Sequence, residues 1–77
     1  MRMRQAIKTK YLPCTNHRPS RIKASCDAGS VCVGWDYGKG CGTNHTDAAY
    51  ALMQKLDWQG TLVGGFFQGE YYFVIVD

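Results

Sequence analysis

One stretch of this 77-residue chain repeats apolar residues at helical spacing: Ala48, Ala49, Leu52 and Leu56, with Gln54 and Lys55 opposite. The other patterned segments alternate with period two. A single amphipathic helix among several alternating strands has few ways to hide its apolar residues. The simplest is to lie across one face of an antiparallel or mixed sheet. We therefore expect an α+β fold, a five-stranded, mostly antiparallel sheet in the order β-β-β-α-β-β with the helix packed on one face.

The helix is expected near residues 45–57. Asn44 is placed to cap it by accepting a backbone N–H, and Asp47 suits the positive end of the helix dipole. Asp57 or Trp58 closes it, and Gly60 breaks the chain. Before it, Gln5 to Leu12 alternates, with Ile7, Thr9 and Tyr11 on one face and Lys8 and Lys10 on the other. Pro13 ends that strand. Arg21 to Ser25 and Val31 to Trp35 alternate again, and Cys26-Asp-Ala-Gly-Ser reads as a hairpin loop between them. Thr61 to Phe67 and Glu70 to Val76 complete the sheet around a tight Gln68-Gly69 turn. Gly64-Gly65 suggests a bulge or the close approach of another backbone.

Seventy-seven residues make one domain, 1–77, with 1–4 expected to be flexible. A chain of this length buries only about 60% of the surface its unfolded form exposes, so the core is thin and a closed substrate cavity is disfavoured. There is no long apolar run and no apolar segment behind Met-Arg-Met-Arg of the kind a secretory signal carries. The expectation is a cytoplasmic protein with no membrane contact and reduced cysteines. Cys26 and Cys32 are the pair that could face each other across the hairpin.

The last strand poses a problem of coverage. Tyr71, Phe73 and Ile75 form one face and Tyr72, Val74 and Val76 the other, and both are apolar. One helix covers one face. Either loops, the N-terminal segment and Trp35 fold over the second face, or Tyr72 and Val74 contact a second copy or a partner protein.

Charge is distributed unevenly. Arg2, Arg4, Lys8, Lys10, Arg18, Arg21 and Lys23 give the first 25 residues +7, whereas the rest carries −4. Lys8, Lys10, Arg21 and Lys23 occupy outward strand positions, with Arg18 in the loop between. If the first two strands are neighbours they form a basic stripe, with Trp35 and Tyr37 as aromatic anchors. Such a stripe suits an acidic protein surface or a phosphate backbone, and a solvated strand face would carry the same lysines.

Lys8-Thr-Lys-Tyr-Leu-Pro followed by Ser20-Arg-Ile-Lys-Ala-Ser resembles the opening of small orphan proteins of bacterial phages and mobile elements. Asn44-His45 with Ala48-Ala49, Lys55-Leu-Asp-Trp leading to Leu62-Val-Gly-Gly, and Gly69-Glu-Tyr-Tyr-Phe-Val extend the likeness over most of residues 8–76. The four cysteines depart from that family. The resemblance implies a non-enzymatic protein that binds a host protein or ribonucleoprotein complex, such as an inhibitor of host defence of the anti-CRISPR kind. This is an analogy of genetic setting.

Other chemistry is weakly marked. Cys14, His17, Cys41 and His45 match a tetrahedral zinc set by count, but each pair mixes Cys with His, and His45 is expected to project to solvent from the helix start. Cys41, His45 and Asp47 lie close in sequence without a pocket or an oxyanion hole to go with them. Gly38-Lys-Gly-Cys-Gly lacks the spacing of a phosphate-cradling loop. We therefore expect no catalytic residues, no metal and no cofactor. The expected site is a binding surface of Lys8, Lys10, Arg18, Arg21, Lys23, Trp35 and Tyr37, with a nucleic-acid-binding module as the alternative.

Overall fold

The computed structural model describes residues 4–76. Its elements are β1 (Ile7–Leu12), β2 (Arg21–Cys26), β3 (Gly29–Gly34), α1 (Cys41–Lys55), β4 (Thr61–Phe67) and β5 (Glu70–Val76). The strands form one antiparallel sheet in the order β3-β2-β1-β5-β4. The expected β-β-β-α-β-β architecture is the one observed. Of the segment 1–4 expected to be flexible, residues 1–3 lie outside the described residues. No helix among the described residues is long and apolar enough to cross a membrane.

Alternation along each strand sends one set of side chains toward α1 and the other away from it. Ile7, Ile22, Ala24, Phe73 and Ile75 join Ala48, Ala49, Leu52 and Met53 of the helix in the core, with Leu56, Trp58 and Leu62 packed at its border. The helix lies over β1, β2 and β3. The β4–β5 hairpin extends past it, and the molecule is elongated, 45 × 23 × 20 Å.

Several local expectations are corrected. The helix begins at Cys41 with Gly40 as its N-cap, and no acidic residue stands in its first turn. Asn44 is inside the helix and buried. Its Oδ1 accepts from the Asp36 N–H at 2.9 Å, and its Nδ2 donates to the carbonyls of Asp36, Lys39 and Gly40. It clamps the preceding loop rather than capping the helix. At the other end Asp57 adopts φ 57°, and the Trp58 N–H reaches Met53 O at 2.8 Å while Asp57 N–H reaches Gln54 O. That is a Schellman closure with an aspartate where glycine is usual.

The β2–β3 loop is shorter than expected, just Asp27-Ala28, and its register pairs Cys26 with Gly29 and Lys23 with Cys32. Cys26 and Cys32 therefore point to opposite faces and do not face each other; all four cysteines are free. The β4–β5 turn is as read, with Gln68 at φ 52° and Gly69 at φ 81°. Both central residues positive is the backbone twist a two-residue hairpin favours. No bulge interrupts β4, since pairing runs unbroken from Thr61↔Val76 to Phe67↔Glu70. Gly64 is instead required by the Phe73 ring: a Cβ there would lie 2.6 Å from it.

Candidate partner-binding face

The sheet face turned away from α1 carries two kinds of surface side by side. On β1 and β2 it presents Lys8, Lys10, Arg21 and Lys23. On β5 and β4 it presents Glu70, Tyr72, Val74, Val63 and Phe67. This follows from register: Lys8 stands opposite Ser25 on one side and Tyr72 on the other, Val63 opposite Val74, and Phe67 opposite Glu70.

Within the basic half, Lys10 and Lys23 are direct cross-strand partners. Like charges directly opposite each other destabilise a sheet, so the pair is hard to explain by folding alone. Both lysines are exposed, and neither makes an ion pair among the described residues. Lys8 differs. Its Nζ lies 3.4 Å from Glu70 Oε2, which also accepts from Tyr72 Oη at 3.0 Å. The Tyr72 hydrogen bond, aided by Lys8, holds the Glu70 carboxyl below the usual range, and the same hydrogen bond raises the Tyr72 phenol. Arg21 is half-buried, with Nη1 donating to Pro19 O at 3.4 Å and Nε buried without a partner. Arg18 is exposed in the β1–β2 connection, in a turn closed by Thr15 N–H to Arg18 O at 2.8 Å.

The two aromatic anchors do not join this face. Trp35 turns to the helix side, half-buried, edge-on to Tyr11 at 4.8 Å and to His45 at 6.3 Å. Tyr37 is 79% exposed, yet its hydroxyl reaches Ser20 Oγ at 3.0 Å, the same oxygen that receives Tyr11 Oη at 2.9 Å. Trp35 therefore does not shield the outward face. Tyr72 and Val74 do lie on it, Tyr72 exposed and Val74 half-buried.

On the helix side the fold assembles a group that the sequence reading missed. His45 is only 2% exposed, its Nδ1 lies 2.6 Å from Thr9 Oγ1, and its ring stacks on Tyr71 at 4.1 Å. Burial pushes its pKa down. The expectation that it would project to solvent is thus overturned. The available signal was spacing: His45 falls on the Ala48, Ala49, Leu52 stripe, and Thr9 and Tyr71 are inward positions of their strands. With Tyr11, Trp35, Cys41, Phe66 and Tyr71, His45 lines an open hollow of about 470 Å³. Hydrogen bonding with Cys41, and then burial, raises the Tyr71 phenol.

The zinc and nucleophile constellations are not brought together. Cys41 and His45 share the hollow, whereas Cys14 and His17 lie in the β1–β2 connection, and no three potential ligands cluster among the described residues. Asp47 pairs with Lys39 at 2.8 Å, and His45 is engaged by Thr9.

No family model, curated protein or solved structure matches the chain.

Proposed function

We propose that this is a non-enzymatic binding protein whose outward sheet face docks on an acidic, partly apolar surface of another protein. The Lys10–Lys23 opposition supports the reading most directly. Two exposed lysines held side by side oppose folding slightly and favour a negatively charged partner. The adjoining Tyr72, Val74, Val63 and Phe67 supply the apolar area that a protein interface uses and a phosphate backbone does not. Glu70, kept ionised within the same face, would repel phosphates, and Trp35 is turned to the helix side, away from any base bound on this face. Together these favour a protein over nucleic acid.

The resemblance to phage and mobile-element proteins points to a host protein complex, and inhibition of host defence is the proposed consequence of binding. The test is affinity capture from bacterial lysate with nuclease present, using wild type and a Lys10→Glu/Lys23→Glu variant. Retention of a protein partner by wild type, and its loss in the variant, is the expected result. Loss of every partner on nuclease treatment, together with salt-sensitive binding of random DNA, would replace the reading with the nucleic-acid one.

A further inference from the structure

The two edges of the sheet are finished differently. At the β3 edge, Lys55 reaches back from the helix and its Nζ donates to Ser30 O at 2.7 Å, and a charge at an edge discourages strand addition. At the β4 edge nothing comparable stands. Thr61-Leu-Val-Gly-Gly-Phe-Phe contains no charged residue and no proline, and no strand lies beyond it among the described residues. Val63, Phe66 and Phe67 are 52, 63 and 62% exposed. Its outward row of N–H and C=O groups is an open template for another strand.

We infer that the β4 edge pairs with β4 of a second copy, antiparallel about a two-fold axis at Gly65, giving a continuous ten-stranded sheet. An isologous contact of this kind needs the strand to complement itself, and in this register it does. Residues opposite each other across an antiparallel pair share a face. Gly65 therefore meets Gly65 of the second copy, Phe66 lies across from its Gly64 on the helix side, and Phe67 lies across from its Val63 on the other side. On the helix side Phe66 meets Gly64 and the Phe73 ring that lies over it, and on the other side Phe67 meets the exposed Val63, with the strand notched only at the two glycines. The notch is open on both faces, with hollows of about 620 Å³ on the helix side and about 400 Å³ on the outward side, both lined by Gly64 and Gly65. Aromatic side chains placed across from edge glycines are a known means of stabilising and registering such pairs.

Charge does not oppose the arrangement. The basic strands β1 lie two strands in from each edge, so the two stripes stand roughly 24 Å apart at ordinary strand spacing. That is about three screening lengths at physiological salt. The helix, lying over β1 to β3, leaves the β4 edge clear. The two-fold axis runs perpendicular to the sheet, so both basic stripes emerge on the same side, flanking one apolar centre.

Light scattering and sedimentation on wild type over a micromolar to millimolar range should show the mass rise from the 8.6 kDa chain to twice that value. Gly65→Lys places two like charges on the axis, and no atom lies within 4 Å of a Cβ built there, so the monomer tolerates it. That variant should dissociate at least tenfold more readily with unchanged circular dichroism. In a Cys14→Ser/Cys32→Ser/Cys41→Ser background, Gly65→Cys should cross-link to its own copy under mild oxidation at least tenfold faster than Val63→Cys, because only residues on the axis face themselves. A wild type that stays monomeric to millimolar concentration would overturn the inference, whatever the variants do. Faster cross-linking at Val63 than at Gly65 would overturn the register.

Discussion

The two halves of the sheet differ in how they spend their apolar residues. Under α1, strands β1 and β2 bury Ile7, Ile22 and Ala24 against Ala48, Ala49 and Leu52, each no more than 1% exposed. In the β4–β5 hairpin only Phe73 and Ile75 reach the core, while Val63, Phe66 and Phe67 stay in water. The covered half is explained by folding. The exposed apolar side chains of the hairpin are not, and a surface that does not serve stability is where recognition is to be sought.

The contrast is sharpest for truncations. Leu52→Ala should cost about 2–5 kcal/mol, because it opens a cavity at a fully buried site. Phe67→Ala, a larger truncation at an exposed site, should stay within about 0.5 kcal/mol. Urea titrations of the two variants measure both, and similar losses would erase the distinction between the halves. Within the hairpin, neighbouring glycines should differ almost as clearly. Gly64→Val drives a side chain into the Phe73 ring and should lower stability by about 1–3 kcal/mol. Gly65→Ala meets nothing within 4 Å and should be neutral or stabilising by about 0.5–1 kcal/mol in thermal melts.

The covered half should also be the acid-sensitive one. Burial lowers the His45 pKa in the folded state below the ordinary 6.5, so unfolding takes up a proton between the two values. His45 thus contributes full stability above about 6.5, and that contribution falls as pH drops through 6.5 toward the lower folded value. Melts from pH 8 to 5 should show this decline in wild type and a smaller one in His45→Gln. The smallest effect is expected on the outward face, and it is a gain. Lys23→Thr removes the charge opposite Lys10 and should raise stability by about 0.2–1 kcal/mol while weakening partner binding. A loss of stability would mean that the lysine pair serves the fold after all.

Period-two and helical spacing were enough to read the element order, both residues of the last turn and the burial of Leu52, Phe73 and Ile75, whereas Leu56, expected to be buried with them, is only half-buried at the border of the core. Side chains whose role depends on another element were not legible. Asn44 satisfies the rule for a helix cap, yet the loop from Asp36 to Gly40 captures its amide and moves the helix start back to Cys41. His45 reads as a solvent-facing polar residue until β1 supplies Thr9 and β5 supplies Tyr71. The basic stripe was visible as alternation on two strands, but the direct opposition of Lys10 and Lys23 is a property of register, which a loop of eight residues between the strands leaves undetermined. Trp35 lies just past β3 and turns inward because Tyr11 and His45 offer it an aromatic edge.

The central claim is that recognition lies on the outward face and is separable from stability. Partner capture from nuclease-treated lysate by wild type and by Lys10→Glu/Lys23→Glu, each with its melting temperature measured on the same preparation, tests it most directly. The account predicts at least a tenfold loss of captured partner in the variant with a nearly unchanged melting temperature, because two like charges still stand opposite each other. Equal capture by the two proteins would contradict it.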